Sequence, residues 1–247
     1  MTDWVNGTVH EVIRWNDRLC SIKVKADLAP YVAGQFGKLS LIIDGERVGR
    51  AYSFVNPPKA ECHEFYLIKI PEGRLSPHLF NLQPGDELQI SHEASGFMTL
   101  AEVPEGRDLW MMATGTAIGP FLAILSEQQV FQRFQNIVLV HGVREREDLT
   151  YQSLIQSFKT QWSPRFRYIP IVSREECLDI LQGRIPALLD NGLLEASAGL
   201  VISPTCTQTM LCGNPAMVKD TFHALEQKGM KKNLRREPGH ITMENYW

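Results

Sequence analysis

Leu109-Trp110-Met111-Met112-Ala113-Thr114-Gly115-Thr116-Ala117-Ile118-Gly119-Pro120 is where the pattern of this chain changes. Leu109 to Ala113 is a continuous apolar run, as expected for a strand buried on both faces of a parallel sheet. It enters a glycine-containing turn. Phe121-Leu122-Ala123-Ile124-Leu125 then reads as a helix with Pro120 in its first turn. A strand, a glycine turn and a helix N-terminus can together cradle a pyrophosphate. The spacing is not G-x-G-x-x-G, and any tight strand-to-helix turn favours glycine, so the segment alone is a weak dinucleotide signal.

The downstream chain repeats the pattern. Asn136-Ile137-Val138-Leu139-Val140-His141-Gly142 reads as a second buried strand. It runs into Val143-Arg144, where an NAD site commonly places an acid for the ribose hydroxyls. Residues 153–158 read as helix. Arg167-Tyr168-Ile169-Pro170-Ile171-Val172 is a third strand, ending in Ser173-Arg174, and Arg184 follows Gly183. Thr209-Met210-Leu211-Cys212 is a fourth strand, ending in Gly213-Asn214-Pro215, with helix over 216–227. Strands alternating with helices predict a doubly wound α/β domain that binds ligands at the carboxyl ends of its strands. Arg144, Arg174 and Arg184 all fall at or just past such ends. Scattered surface arginines are the plain alternative, but the repeated placement favours a phosphate site, such as the 2′-phosphate that distinguishes NADP from NAD.

Upstream, the periodicity is that of short strands. Residues 4–13, 21–26, 38–43, 64–70 and 87–90 read as strands, and another leads up to Arg50. Turn signals such as Asp44-Gly45 and Pro84-Gly85 punctuate them. This predicts a small antiparallel barrel or sandwich. The polar segment 101–108 reads as a linker, so the expected domains are residues 1–101 and 102–247. Within the first, Arg50-Ala51-Tyr52-Ser53 offers a guanidinium fork for phosphate, a flat ring for stacking and a hydroxyl. Alone it reads better as a barrel strand with an exposed arginine and a half-buried tyrosine. Gly73-Arg74-Leu75-Ser76-Pro77 reads as a turn into a short helix with Ser76 as N-cap and Pro77 at the first helical position, leaving helix-start amides for an anion.

Composition narrows the class. The chain has 247 residues and a net charge of −3, which makes no case for nucleic acid or an anionic membrane. No apolar run approaches the roughly 18 residues of a membrane-spanning helix, and no secretory leader is visible. The five cysteines are scattered, with no C-x-x-C, which predicts reduced thiols in the cytoplasm and no metal or iron–sulfur site.

Taken in order, Arg50-Ala51-Tyr52-Ser53, Gly73-Arg74-Leu75-Ser76, Gly115-Thr116-Ala117-Ile118-Gly119-Pro120, Cys212-Gly213-Asn214-Pro215 and the tail from Pro238-Gly239-His240 to Tyr246-Trp247 carry a resemblance over the whole chain. The sequence resembles the bacterial-type ferredoxin–NADP(H) reductases, which also act on flavodoxin. The resemblance implies an N-terminal flavin-binding antiparallel β-barrel and a C-terminal doubly wound parallel-sheet domain for NADP(H). It places Arg50 on the FAD pyrophosphate, Ala51 beside it, Tyr52 on the isoalloxazine and Ser53 by flavin N5. Tyr66, Leu67, Ile68 and Lys69 would line the flavin, largely through the backbone. Arg74, Leu75 and Ser76 would cradle the pyrophosphate, and Thr116 would lie where flavin and nicotinamide meet. Val143, Arg144, Ser173, Arg174 and Arg184 would hold the NADP ribose and 2′-phosphate, with Asn214, Pro215, Ala216, Met217 and Asp220 nearby. Cys212 would approach the nicotinamide, and Trp247 would cover the adenine end of FAD. The resemblance makes Tyr52, Ser53 and Cys212 the residues at the chemistry, and no general acid is nominated.

The activity implied is hydride transfer from NADPH to FAD followed by single-electron transfer to ferredoxin or flavodoxin, in a monomer. Such carriers are usually acidic, and the basic run Lys228, Lys231, Lys232, Arg235 and Arg236 is the expected docking face. A free flavin or ferric reductase, an oxygenase reductase component and a regulatory nucleotide-binding module without turnover are the competing readings.

Overall fold

The computed structural model describes residues 2–246. The chain divides into two compact units, Met1–Thr99 with Gly119–Glu127, and Leu100–Ile118 with Gln128–Trp247.

The first unit contains β1 (Trp4–Arg14), β2 (Leu19–Lys25), β3 (Phe36–Ile43), β4 (Glu46–Ser53), β5 (His63–Ile68), the short helix α1 (Ser76–Phe80), β6 (Glu87–Ser91) and α2 (Gly119–Ser126). The strands form one sheet in the order β4-β3-β6-β1-β2-β5, antiparallel throughout. The sheet curls far enough for its two terminal strands to approach. Just past β4, Phe54 bridges Phe65 of β5, and the Val55 amide donates to the Glu64 carbonyl at 2.9 Å. This is an incompletely closed barrel, which settles the choice between barrel and sandwich.

Side-chain alternation sets which face lies inside, and the bulge between Val9 and Glu11 of β1 adds local bend. Cys20, Ile22 and Val24 of β2 are buried while Lys25 is exposed. Asp44 and Gly45 both take positive φ, 51° and 80°, the paired conformation of a tight hairpin turn between β3 and β4. Ile22, Val24, Leu39, Phe54, Phe65, Leu79 and Ile90 are fully buried and fill the interior. Each such side chain contributes about 1.5–3 kcal/mol relative to exposure.

One local expectation needs correction. Ser76 is not the N-cap of α1. Leu75 holds that position, without a side-chain cap, and Ser76 is the first helical residue. The Ser76 hydroxyl instead accepts the Ile70 amide at 3.0 Å, so it ties the helix back to the end of the preceding strand.

The second unit contains β7 (Asp108–Thr114), α3 (Gln129–Arg133), β8 (Asn136–Val143), α4 (Gln152–Trp162), β9 (Phe166–Val172), β10 (Leu181–Gln182), α5 (Ile185–Asp190), α6 (Leu193–Ala198), β11 (Thr207–Gly213), α7 (Pro215–Gln227) and β12 (Ile241–Asn245). All its strands are parallel, in the order β10-β9-β8-β7-β11-β12. The order runs outward from β7 to β10, then jumps to β11 on the other side. The topological switch therefore lies between β7 and β11. Sequence periodicity anticipated β7, β8, β9 and β11. It missed β10, two residues long, and β12, which turns the expected C-terminal tail into a strand along β11.

Helices cover both faces. Val138 and Val140 of β8 share a core with Leu188, Leu189, Leu194, Val218 and Leu225 from α5, α6 and α7. On the opposite side, Phe131 of α3 stacks on Trp162 of α4 at 4.2 Å, and Phe158 meets Phe166 edge-on. A sheet sandwiched in this way buries Leu109 to Ala113 completely, which is why that run carries no polar residue.

Candidate functional site

In the barrel unit the candidate residues sit at the end of β4, along β5 and at the start of α1. Arg50 is exposed, and its guanidinium donates to the Gly49 carbonyl at 2.8 Å. Ala51 is exposed, Tyr52 is half-buried and Ser53 is buried. Burial pushes the Tyr52 hydroxyl up to about 12, against the pull of the Arg50 charge. It is therefore neutral at physiological pH. Among the described residues neither the Tyr52 nor the Ser53 hydroxyl has a hydrogen-bond partner, although Ser53 is only 3 % exposed. Neither oxygen is among the fully enclosed unpaired polar atoms, so both hydroxyls stay accessible to a ligand.

β5 is a terminal strand. Beyond the Phe54–Phe65 bridge its outer edge, over Tyr66, Leu67 and Ile68, meets no other strand among the described residues. The Tyr66 and Leu67 side chains are buried, so what these residues offer outward is backbone. Lys69 donates its amide to the Arg18 carbonyl at 2.7 Å, and its ammonium lies 5.1 Å from the Phe80 ring centre. Arg74 is exposed and pairs with Glu46 at 2.9 Å. The Leu75 side chain belongs to the barrel core. Leu75 and Ser76 therefore contribute through the main chain, at a helix start whose first amides have no carbonyl of their own helix to bond.

In the second unit the candidate residues gather at the carboxyl ends of the strands. At the topological switch, β7 ends in Thr114-Gly115 and β11 in Gly213-Asn214. The Asn214 amide donates to the Thr114 hydroxyl at 3.0 Å. Gly213 has φ +144°, and a Cβ there would lie 2.2 Å from that hydroxyl oxygen, so only glycine allows the two strand ends to approach. Gly115 has φ +55°, and a Cβ on it would meet nothing within 4 Å, so the turn faces open space. Thr116 is buried, and its hydroxyl has no partner among the described residues. Cys212 is fully buried on β11, with Ala113 and Glu244 as its strand neighbours. Burial, reinforced by the Glu244 charge, pushes its thiol well above the ordinary value. Asn214 caps α7, accepting the Ala216 and Met217 amides at 2.9 and 3.3 Å, with Pro215 in the first turn.

On the other side of β7, Arg144 and Arg174 follow β8 and β9, and the Arg174 amide donates to the Arg144 carbonyl at 2.9 Å. Ser173 donates its hydroxyl to the Val143 carbonyl at 3.0 Å, while the Val143 side chain is buried against Val172 and Cys177. Arg184 follows the next strand, β10, as the residue capping α5. Arg144, Arg174 and Arg184 thus stand at three adjacent strand ends. All three are exposed, and none makes a side-chain hydrogen bond or ion pair among the described residues. Arg146 is different: it is committed to the protein, bidentate to Asp179 at 2.8 and 2.9 Å. Asp220 lies apart from the Arg144–Arg174 pair, lining a shallow groove between α5 and α7 with Arg184, Asp190, His223 and Gln227. Trp247 lies outside the described residues.

This combination of a half-closed barrel and a parallel nucleotide-type sheet has known counterparts. The model of the oxidoreductase FAD-binding domain matches residues 8–96, and that of the oxidoreductase NAD-binding domain matches residues 111–223. The flavodoxin/ferredoxin–NADP reductase of Escherichia coli K12 is 51 % identical over 248 residues, covering 100 % of both chains. The chain belongs to the flavodoxin/ferredoxin–NADP reductase family. The family's ferredoxin–NADP reductase from Azotobacter vinelandii is 34 % identical, covering 96 % of this chain and 95 % of its own. A crystal structure of a ferredoxin NADP+ reductase from Neisseria gonorrhoeae, with bound FAD and NADP, superposes with a TM-score of 0.94 at 31 % identity, over 100 % of each chain.

For a reductase of this family, two residues that organise the switch point were not singled out from sequence. Thr114 supplies the hydroxyl that joins β7 to β11, and His141 of β8 hydrogen-bonds the Gly115 carbonyl through Nε2 at 3.0 Å. A signal for the second was present: His141 is the one polar residue in the run from Ile137 to Val143.

Proposed function

We propose that this protein is an FAD-dependent ferredoxin/flavodoxin–NADP(H) reductase, with residues 1–101 serving the flavin and residues 102–247 serving the pyridine nucleotide. When bound, FAD supplies the chemistry that accepts a hydride from NADPH and passes electrons singly to ferredoxin or flavodoxin. The protein's part is to hold and orient. Arg50, Arg74 and the amides of Leu75 and Ser76 take the FAD pyrophosphate, Arg74 exchanging its exposed Glu46 partner for the ligand. Tyr52 stacks on the ring system, and Ser53 offers its hydroxyl to the ring edge, with Ala51 and the backbone of Tyr66, Leu67, Ile68 and Lys69 as wall. Thr116 meets the nicotinamide, with the fully buried Cys212 behind it as a neutral, polarisable neighbour rather than a thiolate. Val143 and Ser173 support the ribose, and Arg144, Arg174 and Arg184 bind the 2′-phosphate. Asn214, Pro215, Ala216 and Asp220 flank the nucleotide.

The observation that carries this reading is the set of unpaired arginines at three adjacent strand ends. Unpaired among the described residues, the three are available to a phosphate, Arg144 and Arg174 from backbone-linked positions and Arg184 from the groove it shares with Asp190 and Asp220. Anaerobic stopped-flow on the FAD-loaded protein tests it. NADPH should bleach the flavin absorbance quickly and NADH slowly, and the reduced protein should then reduce ferredoxin or flavodoxin. Equal rates with both nucleotides would remove the 2′-phosphate site, and a protein that takes up no FAD would remove the flavin reading.

For the carrier, the basic run is partly spoken for. Lys228 pairs with Glu195 and Arg235 with Glu102, each at 2.7 Å. Docking therefore falls to Lys231, Lys232 and Arg236, exposed cations without an ion pair among the described residues. Among the described residues no helix is long and apolar enough to cross a membrane. All five cysteines are free thiols, which supports a reducing, cytoplasmic setting. We take the working form to be a monomer, which sedimentation at micromolar concentration would check.

A further inference from the structure

His141 is the one polar residue between Ile137 and Val143 of β8, fully buried, beside Ala113 of β7 and Pro170 of β9. Its Nε2 is 3.0 Å from the Gly115 carbonyl oxygen, and its Nδ1 is 3.4 Å from the Tyr168 hydroxyl. That hydroxyl in turn accepts the side-chain amide of Gln152 at 3.2 Å. Burial pulls the His141 ring down to about 4, against weaker support from the Gly115 carbonyl and the Asp148 charge, so it is neutral at physiological pH. A neutral imidazole has one donor and one acceptor. A carbonyl can only accept, so Nε2 carries the proton, and Nδ1 accepts from Tyr168. The direction of the whole chain, from Gln152 through Tyr168 and His141 to Gly115, follows from its last member.

We propose that His141 is a positioning residue for the pyridine nucleotide: it holds the Gly115 carbonyl toward β8 and so aims the Thr116 amide outward from the switch-point turn. In a trans peptide the C=O and the following N–H point in opposite directions. Fixing one therefore fixes the other. Glycine at positive φ is the residue for which the two orientations of the next peptide plane differ least in energy. Gly115 opens a single 3-10 turn, Gly115–Ile118, and without His141 that turn alone would restrain the Gly115–Thr116 peptide from presenting an oxygen where a phosphate or carboxamide needs a donor. On the opposite side Thr114 is held by the Asn214 amide, so the turn is gripped from both neighbouring strands. The arrangement pre-pays the ordering that a ligand would otherwise have to impose. This inference rests on the reading that the turn meets the nucleotide.

The test uses the FAD-loaded full-length protein and NADP+ binding by calorimetry, with FAD content and thermal midpoint measured beside it. His141→Gln keeps a donor near the Nε2 position and should bind NADP+ within about threefold of the parent, whereas His141→Leu should weaken binding about tenfold, or 1.4 kcal/mol. Both should keep their FAD. The KM values for NADPH and NADH should rise by the same factor in His141→Leu, because the turn is common to both nucleotides. A parent-like affinity in His141→Leu, or an equal loss in both variants, would overturn the proposal. Should His141→Leu fail to fold, the 15N spectrum of the unaltered protein still decides: the His141 ring must be in the Nε2–H form from pH 6 to 8, and an Nδ1–H or doubly protonated ring refutes it. Failure of the unaltered protein to bind NADP+ at all would instead count against the reading on which this rests.

Discussion

Replacing Arg174 by alanine should weaken NADPH and leave NADH almost untouched. Arg174 is exposed and makes no side-chain hydrogen bond or ion pair among the described residues, so its removal breaks nothing inside the protein. The backbone bond from its amide to Arg144 survives the substitution. On the proposed assignment, what is lost is a contact to the 2′-phosphate. A hydrogen bond to a charged group contributes about 1.5–3 kcal/mol, which corresponds to roughly 10- to 150-fold in affinity. Exposure and the remaining Arg144 and Arg184 argue for the lower end, about tenfold at low salt, shrinking as ionic strength screens the pair. The assay is the Kd and KM for NADPH and NADH in parallel, at two salt concentrations, with thermal midpoints. The expected pattern is a tenfold loss for NADPH, less than twofold for NADH and an unchanged midpoint. Equal losses for both nucleotides, or an unchanged NADPH affinity, would refute the assignment. Arg146→Ala is the contrasting control, since Arg146 is already bonded to Asp179 and its loss should lower the melting temperature of the segment it ties down.

Ser53→Ala should retain FAD and the fold, because the hydroxyl has no protein partner among the described residues, and should slow flavin reduction by NADPH about threefold to tenfold, the worth of one neutral hydrogen bond; a parent-like rate in stopped-flow would remove Ser53 from the chemistry. Asp108 is fully buried; burial raises its carboxyl, but hydrogen bonds from Arg107 and Asn136 outweigh this and hold it below the usual range. A depressed folded-state value contributes stability that is present above about pH 4 and lost as pH falls through the folded value. Asp108→Asn should therefore cost about 2 kcal/mol at pH 7 and flatten the acid limb of the urea-denaturation profile, and an unchanged acid limb would contradict the assignment. Raising salt should slow reduction of ferredoxin or flavodoxin more than that of a neutral dye, with the difference diminished in a Lys231→Ala, Lys232→Ala, Arg236→Ala triple variant; equal salt effects on both acceptors would dismiss the docking face. Cys212, buried and with its thiol pushed well up, should stay unmodified by iodoacetamide at pH 8 in the folded protein, and labelling there by mass spectrometry would show the site to be more open than the structure has it.

Much of the architecture was legible because it rests on periodicity and turn chemistry. Leu109 to Ala113 announces a doubly buried strand, and Asp44-Gly45 a hairpin. The parts that escaped are those whose cause is not local. Leu181 and Gln182 are too short to show a period, and Ile241 to Asn245 becomes a strand because β11 offers it an edge. Ser76 had the composition of a cap, but its hydroxyl was claimed by the Ile70 amide six residues earlier, a competition that spacing alone does not arbitrate. His141 showed itself as a polar residue in an apolar run, yet its partner, the Gly115 carbonyl, is 26 positions away in the chain. That Arg144, Arg174 and Arg184 stand at strand ends was readable from the sequence. Their position follows from where each strand stops, and that is a local property.

The assignment of Gly119–Glu127 to the unit built by the first 99 residues has a consequence for recombination between relatives. A chimera with a single junction near residue 100 would graft a helix from one parent onto the barrel of the other. Gly119 approaches Val55 closely enough that a Cβ would lie 3.2 Å from its methyl, and Ile124 stands against Gly34 in the same way at 3.1 Å. Mismatched parents would meet at those contacts first. Exchange that respects the packing needs two further junctions, at 118/119 and 127/128, so that these nine residues travel with the barrel they complete. The polypeptide is modular in space without being modular along its length.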